Sequence, residues 1–145
     1  MAETTTPCGL PRVDAASRDR LLKDVLKGVS RSFYLTLRVL PKNLREPIGL
    51  AYLLARTADT LTDRHRRAGF TGARLEGLIV LRSQLVGPAD ASVLRKLAAQ
   101  SMDGDPSPED RALFGSLVEC FALLESLDIA DREQVRWVVD KLTQG

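Results

Sequence analysis

The sequence predicts an all-α protein. Apolar residues recur at three- and four-residue spacing in nearly every segment, no run sustains the period-two alternation of a strand, and no hairpin dipeptide such as Asn-Gly occurs. No internal repeat or low-complexity segment interrupts the pattern.

The elements follow in order. Residues 1–16, beginning MAETTTPCGLPRVD, have no basic run and no apolar stretch, so they read as a flexible leader and not as a secretory signal. Ser17 is placed to cap a helix over RDRLLKDVLKGVS, where Leu21, Leu22, Val25, Leu26 and Val29 recur at helical spacing. RSFYLTLRVL carries Phe33, Leu37 and Leu40 on one side, and Pro41 stops it because a residue before proline is pushed out of the helical region. In PKNLREPIGLAYLLARTADTLTD, Pro47 is tolerated in a first turn and damaging deeper, so the helix is expected from near Pro47 to about Asp63. Residues before Pro47 are expected as a kinked or separate turn, and RHRRAGFTG as a loop holding a solvated His65.

Helical patterns return in ARLEGLIVLRSQLV, ASVLRKLAAQ, PEDRALFGSLVECFALLESL and DREQVRWVVDKLTQG. Phe121 and Trp137 stand at core spacing. Asp131 and Gln134 are placed like a capping box, and Asp128 and Asp131 serve as helix-start caps. DGDPSPED is acidic, but its prolines and glycine make it a solvated turn rather than a metal site.

Length and composition bound the function. A chain of 145 residues with 44% hydrophobic and 28% charged residues is ordinary for one globular domain, taken here as residues 17–145 after the leader. The formal net charge of +2 is too small for a nucleic-acid partner bound through phosphates. PIGLAYLLA falls well short of the roughly 20 apolar residues of a membrane span. Cys8 and Cys120 form no metal or redox pair, which fits a cytoplasmic protein.

One stretch does not fit a plain core helix. In LLARTADTLTD, Tyr52, Arg56, Asp59 and Asp63 fall at i, i+4, i+7 and i+11, one stripe on a helix otherwise apolar nearly all round. Such a helix is expected to be buried, with its charged stripe facing a cavity or a partner. The alternative is a salt-bridged surface stripe, but exposed helical ion pairs are worth only about 0.3–0.5 kcal/mol, and two aspartates near a helix C-terminus oppose the dipole. A hard divalent cation would relieve them, because carboxylates one turn apart can share Mg²⁺ completed by water and substrate phosphates. SRSFY, just upstream, adds Ser30, Arg31 and Ser32, suited to phosphate contacts or to a helix boundary.

SRSFYLTLRVLPKNLREPIGLAYLLARTADTLTD resembles the N-terminal signature of the squalene/phytoene synthase family. In that family a Ser-Arg/Lys-Ser-Phe segment is followed by a Leu-Pro turn and a Tyr-containing helix ending in Arg-x-x-Asp-x-x-x-Asp, and residues 30–63 match in order and spacing. The resemblance implies an α-helical bundle of the isoprenoid synthase type and a Mg²⁺-dependent head-to-head condensation of two prenyl diphosphates. Farnesyl diphosphate is the implied substrate and a cyclopropyl species the intermediate. DTLTD is closer to squalene synthases, which would add NADPH as reductant; a phytoene-type member loses a proton instead.

Site roles follow from the same match. Asp59 and Asp63 would hold Mg²⁺. Arg31 and Arg56 would meet the diphosphate, with Ser30, Ser32 and Phe33 lining the site and Tyr52 an aromatic contact; Arg56, Asp59 and Asp63 would be catalytic. Thr62 departs from the acidic residue of eukaryotic squalene synthases. The family's second aspartate-rich motif has no counterpart, so the chain reads as an N-terminal portion, inactive alone and completed by further sequence or a partner chain. Two other classes remain open: a non-catalytic helical protein binding a prenyl diphosphate or a partner, and a helical interaction module. Lipidic substrates make peripheral membrane contact compatible with the sequence, though no anchor is encoded.

Overall fold

The computed structural model describes residues 10–68, 71–102 and 106–144, with the side chains of 64–68, 71–75 and 144 left aside. Among the described residues every regular element is helical. The first rod runs through α1 (Ala15–Asp19), a π-helical turn (Arg20–Val25) and α2 (Leu26–Val29), with helical backbone at both junctions. Its cap is Asp14, whose carboxylate accepts from the Ser17 backbone N–H at 2.8 Å; Ser17 itself lies inside the helix. That bond also holds the Asp14 carboxyl below its usual range. The described end of the expected leader is packed, since Leu10 is buried in the core and Val13 leans on it.

Ser30 breaks the rod. Its extended backbone turns the chain, and its hydroxyl accepts from the Phe33 N–H at 3.2 Å to start α3 (Arg31–Arg38). Pro41 follows the end of α3, as expected from the restriction on the residue before a proline.

α4 (Lys42–Ala68) is longer than the sequence predicts at both ends. Pro47 lies inside it and breaks nothing: the carbonyl deprived of a donor belongs to Asn43, an exposed residue within the first turns, where the lost bond costs least. The Arg45 guanidinium secures this start, donating to the Leu40 carbonyl at 3.0 Å and the Arg38 carbonyl at 2.9 Å. Residues 64–68 continue the helix where a loop was expected, and α5 (Thr71–Val86) begins soon after; the His65 side chain lies outside the described residues.

α6 (Ala91–Ser101), α7 (Pro108–Gly115), α8 (Leu117–Ser126) and α9 (Ile129–Gln144) complete the bundle. α7 and α8 were expected as one helix, but Ser116 adopts φ −104° and divides them, its hydroxyl donating to the Ala112 carbonyl. Arg20 of the π-helical turn reaches this break, donating to Ser116 Oγ at 3.0 Å and pairing with Glu119. Of the acidic turn, Asp103 and Asp105 lie outside the described residues, while Glu109 and Asp110 form the first turn of α7, where the helix dipole favours them. α9 is capped by Asp128, which accepts from the Asp131 N–H at 2.9 Å, in place of a box between Asp131 and Gln134.

α4 is the central element, flanked by α5 and α9 and touching α3, α7, α8 and the π-helical turn. Its buried face, Leu50, Leu53, Leu54, Ala58 and Leu61, joins Leu81, Phe114, Phe121 and Val139 in the core. Gly49 sets the approach of α4 to its neighbours: a Cβ there would stand 2.8 Å from Leu22 Cδ2 and 3.1 Å from Leu37 Cδ2. Trp137 does not join the core; it is 60% exposed, with Lys141 Nζ 5.8 Å from its ring. No described helix is long and apolar enough to cross a membrane.

Candidate functional site

The two halves of the motif meet across the α3–α4 pair. Phe33 stacks on Tyr52 with ring centroids 4.2 Å apart and planes 14° from parallel. One turn further along α4, Arg56 points back to the junction before Ser30, donating to the Val29 carbonyl at 3.3 Å and to Thr60 Oγ1 at 3.4 Å. Sequence reasoning had no means of finding Val29, a backbone acceptor; Thr60, four residues beyond Arg56, was within reach of helical spacing. Two of the five guanidinium N–H donors are so engaged, and three remain.

Ser30 is occupied as the cap of α3, and the Ser32 carbonyl accepts from Thr36 Oγ1 at 3.0 Å. Arg31 and Ser32 are exposed. Asp59 and Asp63 also stand exposed, one helical turn or about 6 Å apart along the axis. Neither carboxylate pairs with Arg56 or any other described cation, so the stripe is not an ion-pair ladder. Thr62 turns its hydroxyl to the Ala58 carbonyl at 3.1 Å, away from a role beside the aspartates.

α4 is not buried all round, contrary to its apolar composition. Its inner face is sealed, while Leu44, Ile48, Asp59 and Asp63 are exposed and Tyr52 and Arg56 half-buried, so the stripe opens outward over the described residues. It grades from aliphatic, through the aromatic stack and arginine, to acidic.

The donor set at its acidic end suits a hard cation. Both carboxylates offer oxygen only and both lack an ion pair among the described residues. Because α4 runs on to Ala68, more than a turn past Asp63, the dipole of the helix end expected to act on them does not reach them. Asp59 and Asp63 are therefore chemically fit to hold Mg²⁺ with its other positions open to water and phosphate. No group of three or more acidic, histidine or cysteine side chains disposed for a metal occurs among the described residues.

The family model for squalene/phytoene synthase matches residues 26–127, from the first residue of α2 to the end of α8. The chain belongs to the squalene/phytoene synthase family. No curated protein and no solved structure matches it significantly. Squalene/phytoene synthases are prenyltransferase-type enzymes that bind prenyl diphosphates and join them head to head on an all-α fold, and this family member is all-α throughout its described residues. The matched span contains both Ser30–Phe33 and Tyr52–Asp63, the segments that the Phe33–Tyr52 stack and the Arg56–Val29 bond bring together.

Proposed function

We propose that the outward stripe of α4, with the α2–α3 junction, forms the first Mg²⁺-diphosphate face of a site that condenses two farnesyl diphosphates to a C30 product through a cyclopropyl intermediate. The observation that carries this reading is the pair of exposed carboxylates of Asp59 and Asp63, one turn apart and without cation partners among the described residues. Asp59 and Asp63 would hold Mg²⁺. When bound, the ion supplies charge to the diphosphate as the allylic C–O bond breaks.

The chain's own groups act around that event. Arg31 and the remaining donors of Arg56 would meet diphosphate oxygens, stabilising the leaving group more as its negative charge grows. The Phe33–Tyr52 stack offers π faces near the cation that departure leaves behind. Leu44 and Ile48 extend the stripe in the aliphatic direction that a prenyl tail requires. Condensation needs no reductant; NADPH would enter only in a squalene-type second step, and no residue here is assigned to it.

The open stripe also predicts a limit. A prenyl cation exposed to water is quenched, so the chain by itself should bind substrate without productive turnover until a second surface covers the face. Calorimetric titration with a non-hydrolysable farnesyl diphosphate analogue should show Mg²⁺-dependent binding that weakens about tenfold or more in Asp59→Asn, as for loss of a charged ligand bond. Unchanged binding in that variant refutes the site. Squalene or presqualene diphosphate formed by the chain alone from farnesyl diphosphate and Mg²⁺ refutes the need for a cover.

A further inference from the structure

Arg56 links α4 to the junction before Ser30, and the side chain that aims it is a neighbour on its own helix. Thr60, one turn on, is only 5% exposed, and its hydroxyl accepts from Arg56 Nε at 3.4 Å while Nη1 reaches the Val29 carbonyl at 3.3 Å. Both bonds lie at the long end of the hydrogen-bond range, so neither holds the group firmly alone. Acting on two atoms of one planar guanidinium, they fix its position and its plane together. Nη2 has no partner among the described residues, and its direction is set before any ligand arrives.

Thr60 differs in this from the other threonines of α4. Thr57 and Thr62 donate to the carbonyls four residues back, Leu53 at 2.8 Å and Ala58 at 3.1 Å, as helical threonines commonly do. Thr60 makes no such bond to the Arg56 carbonyl among the described residues and turns its hydroxyl to the Arg56 side chain. Packing does not call for a threonine there either. The position is nearly as sealed as Ala58 and Leu61 beside it, where a hydroxyl costs free energy that an aliphatic side chain of the same shape would not. A buried hydroxyl needs a partner, and the partner present is a group of the candidate site.

We infer that Thr60 is a positioning residue for the diphosphate site: it holds Arg56 Nε so that Nη2 is presented to a diphosphate oxygen, without itself touching substrate or metal. This rests on the reading of Asp59 and Asp63 as the Mg²⁺-diphosphate face. Thr60→Val leaves the guanidinium on the Val29 carbonyl alone, so binding must order a side chain that the native protein holds in advance.

The test is calorimetric titration of the full chain with a non-hydrolysable farnesyl diphosphate analogue and Mg²⁺, for Thr60→Val, Thr60→Ser, Arg56→Lys and the double variant Thr60→Val with Arg56→Lys. Thr60→Val should weaken binding about tenfold, the scale of one hydrogen bond to a charged group. Its melting temperature should stay level or rise, because a buried hydroxyl is removed. Thr60→Ser keeps the acceptor and should bind within about twofold of the native chain. The double variant should bind no more weakly than Arg56→Lys, because Thr60 acts only through the guanidinium. By NMR of the ligand-free chain, the Arg56 Nε–H should exchange with water faster in Thr60→Val, and an unchanged rate overturns the hold itself. Native affinity in Thr60→Val, or losses that add in the double variant, overturns the inference and leaves the reading of the aspartates standing. A melting temperature that falls in step with affinity assigns Thr60 to the packing of α4 and overturns it as well. A native chain without Mg²⁺-dependent binding overturns the reading of Asp59 and Asp63 and this inference together.

Discussion

Cys120 shows how one side chain's setting decides its chemistry. Burial among apolar neighbours in α8 pushes its thiol up to about 12, with Arg20 pulling weakly the other way. The unfolded thiol ionises near pH 8.5 to 9, so between there and about 12 the unfolded state releases a proton that the folded state keeps, and stability declines as pH rises across that window. Melting temperatures from pH 8 to 10.5 should fall for the native chain and fall less for Cys120→Ala, which starts lower because of its cavity. Mass spectrometry after iodoacetamide treatment should find Cys120 unmodified until the chain unfolds. Ser30 separates structure from binding in a different way. Ser30→Asn keeps a capping acceptor and should cost only a few tenths of a kcal/mol, while Ser30→Ala should cost about 1 kcal/mol. If Ser30 also lines the diphosphate site, Ser30→Asn will lose affinity for the substrate analogue with an unaltered melting temperature; unchanged affinity restricts the residue to its cap.

Among the elements, the turn between α5 and α6 has the most exacting backbone. Gly87 sits at φ +84°, where a side chain is strained, and a Cβ there would come within 3.0 Å of Arg136 Nη2. Gly87→Ala should therefore destabilise the fold by about 1–2 kcal/mol, read as a shifted urea midpoint with an unchanged slope. Asp90 closes the same turn, with its N–H on Gln84 Oε1 at 2.6 Å and its carboxylate on Ser92, which holds that carboxyl below its usual range. Its stabilisation is present above the unfolded carboxyl pKa and is lost as pH falls through the lower folded value. The elements also show what a sequence can reveal. α3 was readable because Ser30 and Pro41 bound it by known backbone chemistry. The π-helical turn was not, since a change of helical period over Arg20–Val25 leaves too few residues to register in hydrophobic spacing. The Gly115–Ser116 break was hidden because both residues occur within helices, and what fixes it is Arg20, distant in sequence. Trp137 was misplaced because periodicity reports a helical face without saying whether another element covers it.

At the scale of the whole molecule, the candidate site was the more readable part, because its residue types and spacing lie within residues 30–63. A basic groove of about 610 Å³ was not, since the Arg18, Lys23, Arg38 and Lys42 that line it come from four elements and converge only on folding. The arginines of α4 explain why α3 sits where it does. Arg56 holds the Val29 carbonyl just before α3, and Arg45 holds the Arg38 and Leu40 carbonyls at its other end. An eight-residue helix is too short to persist alone in water. Clamped at both ends, its amide hydrogens should exchange at rates close to those of central α4, and Arg45→Ala should accelerate exchange in α3 selectively; exchange in α3 as fast as in an isolated peptide would refute the clamp. Clamped in this way, α3 and α4 would move as one plate, and on the proposed reading its aromatic stack would need no rearrangement on binding. Any closure in a catalytic cycle then belongs to whatever meets the plate, and a rate limited by closure would respond to changes on that opposing surface while remaining insensitive to stiffening of α3.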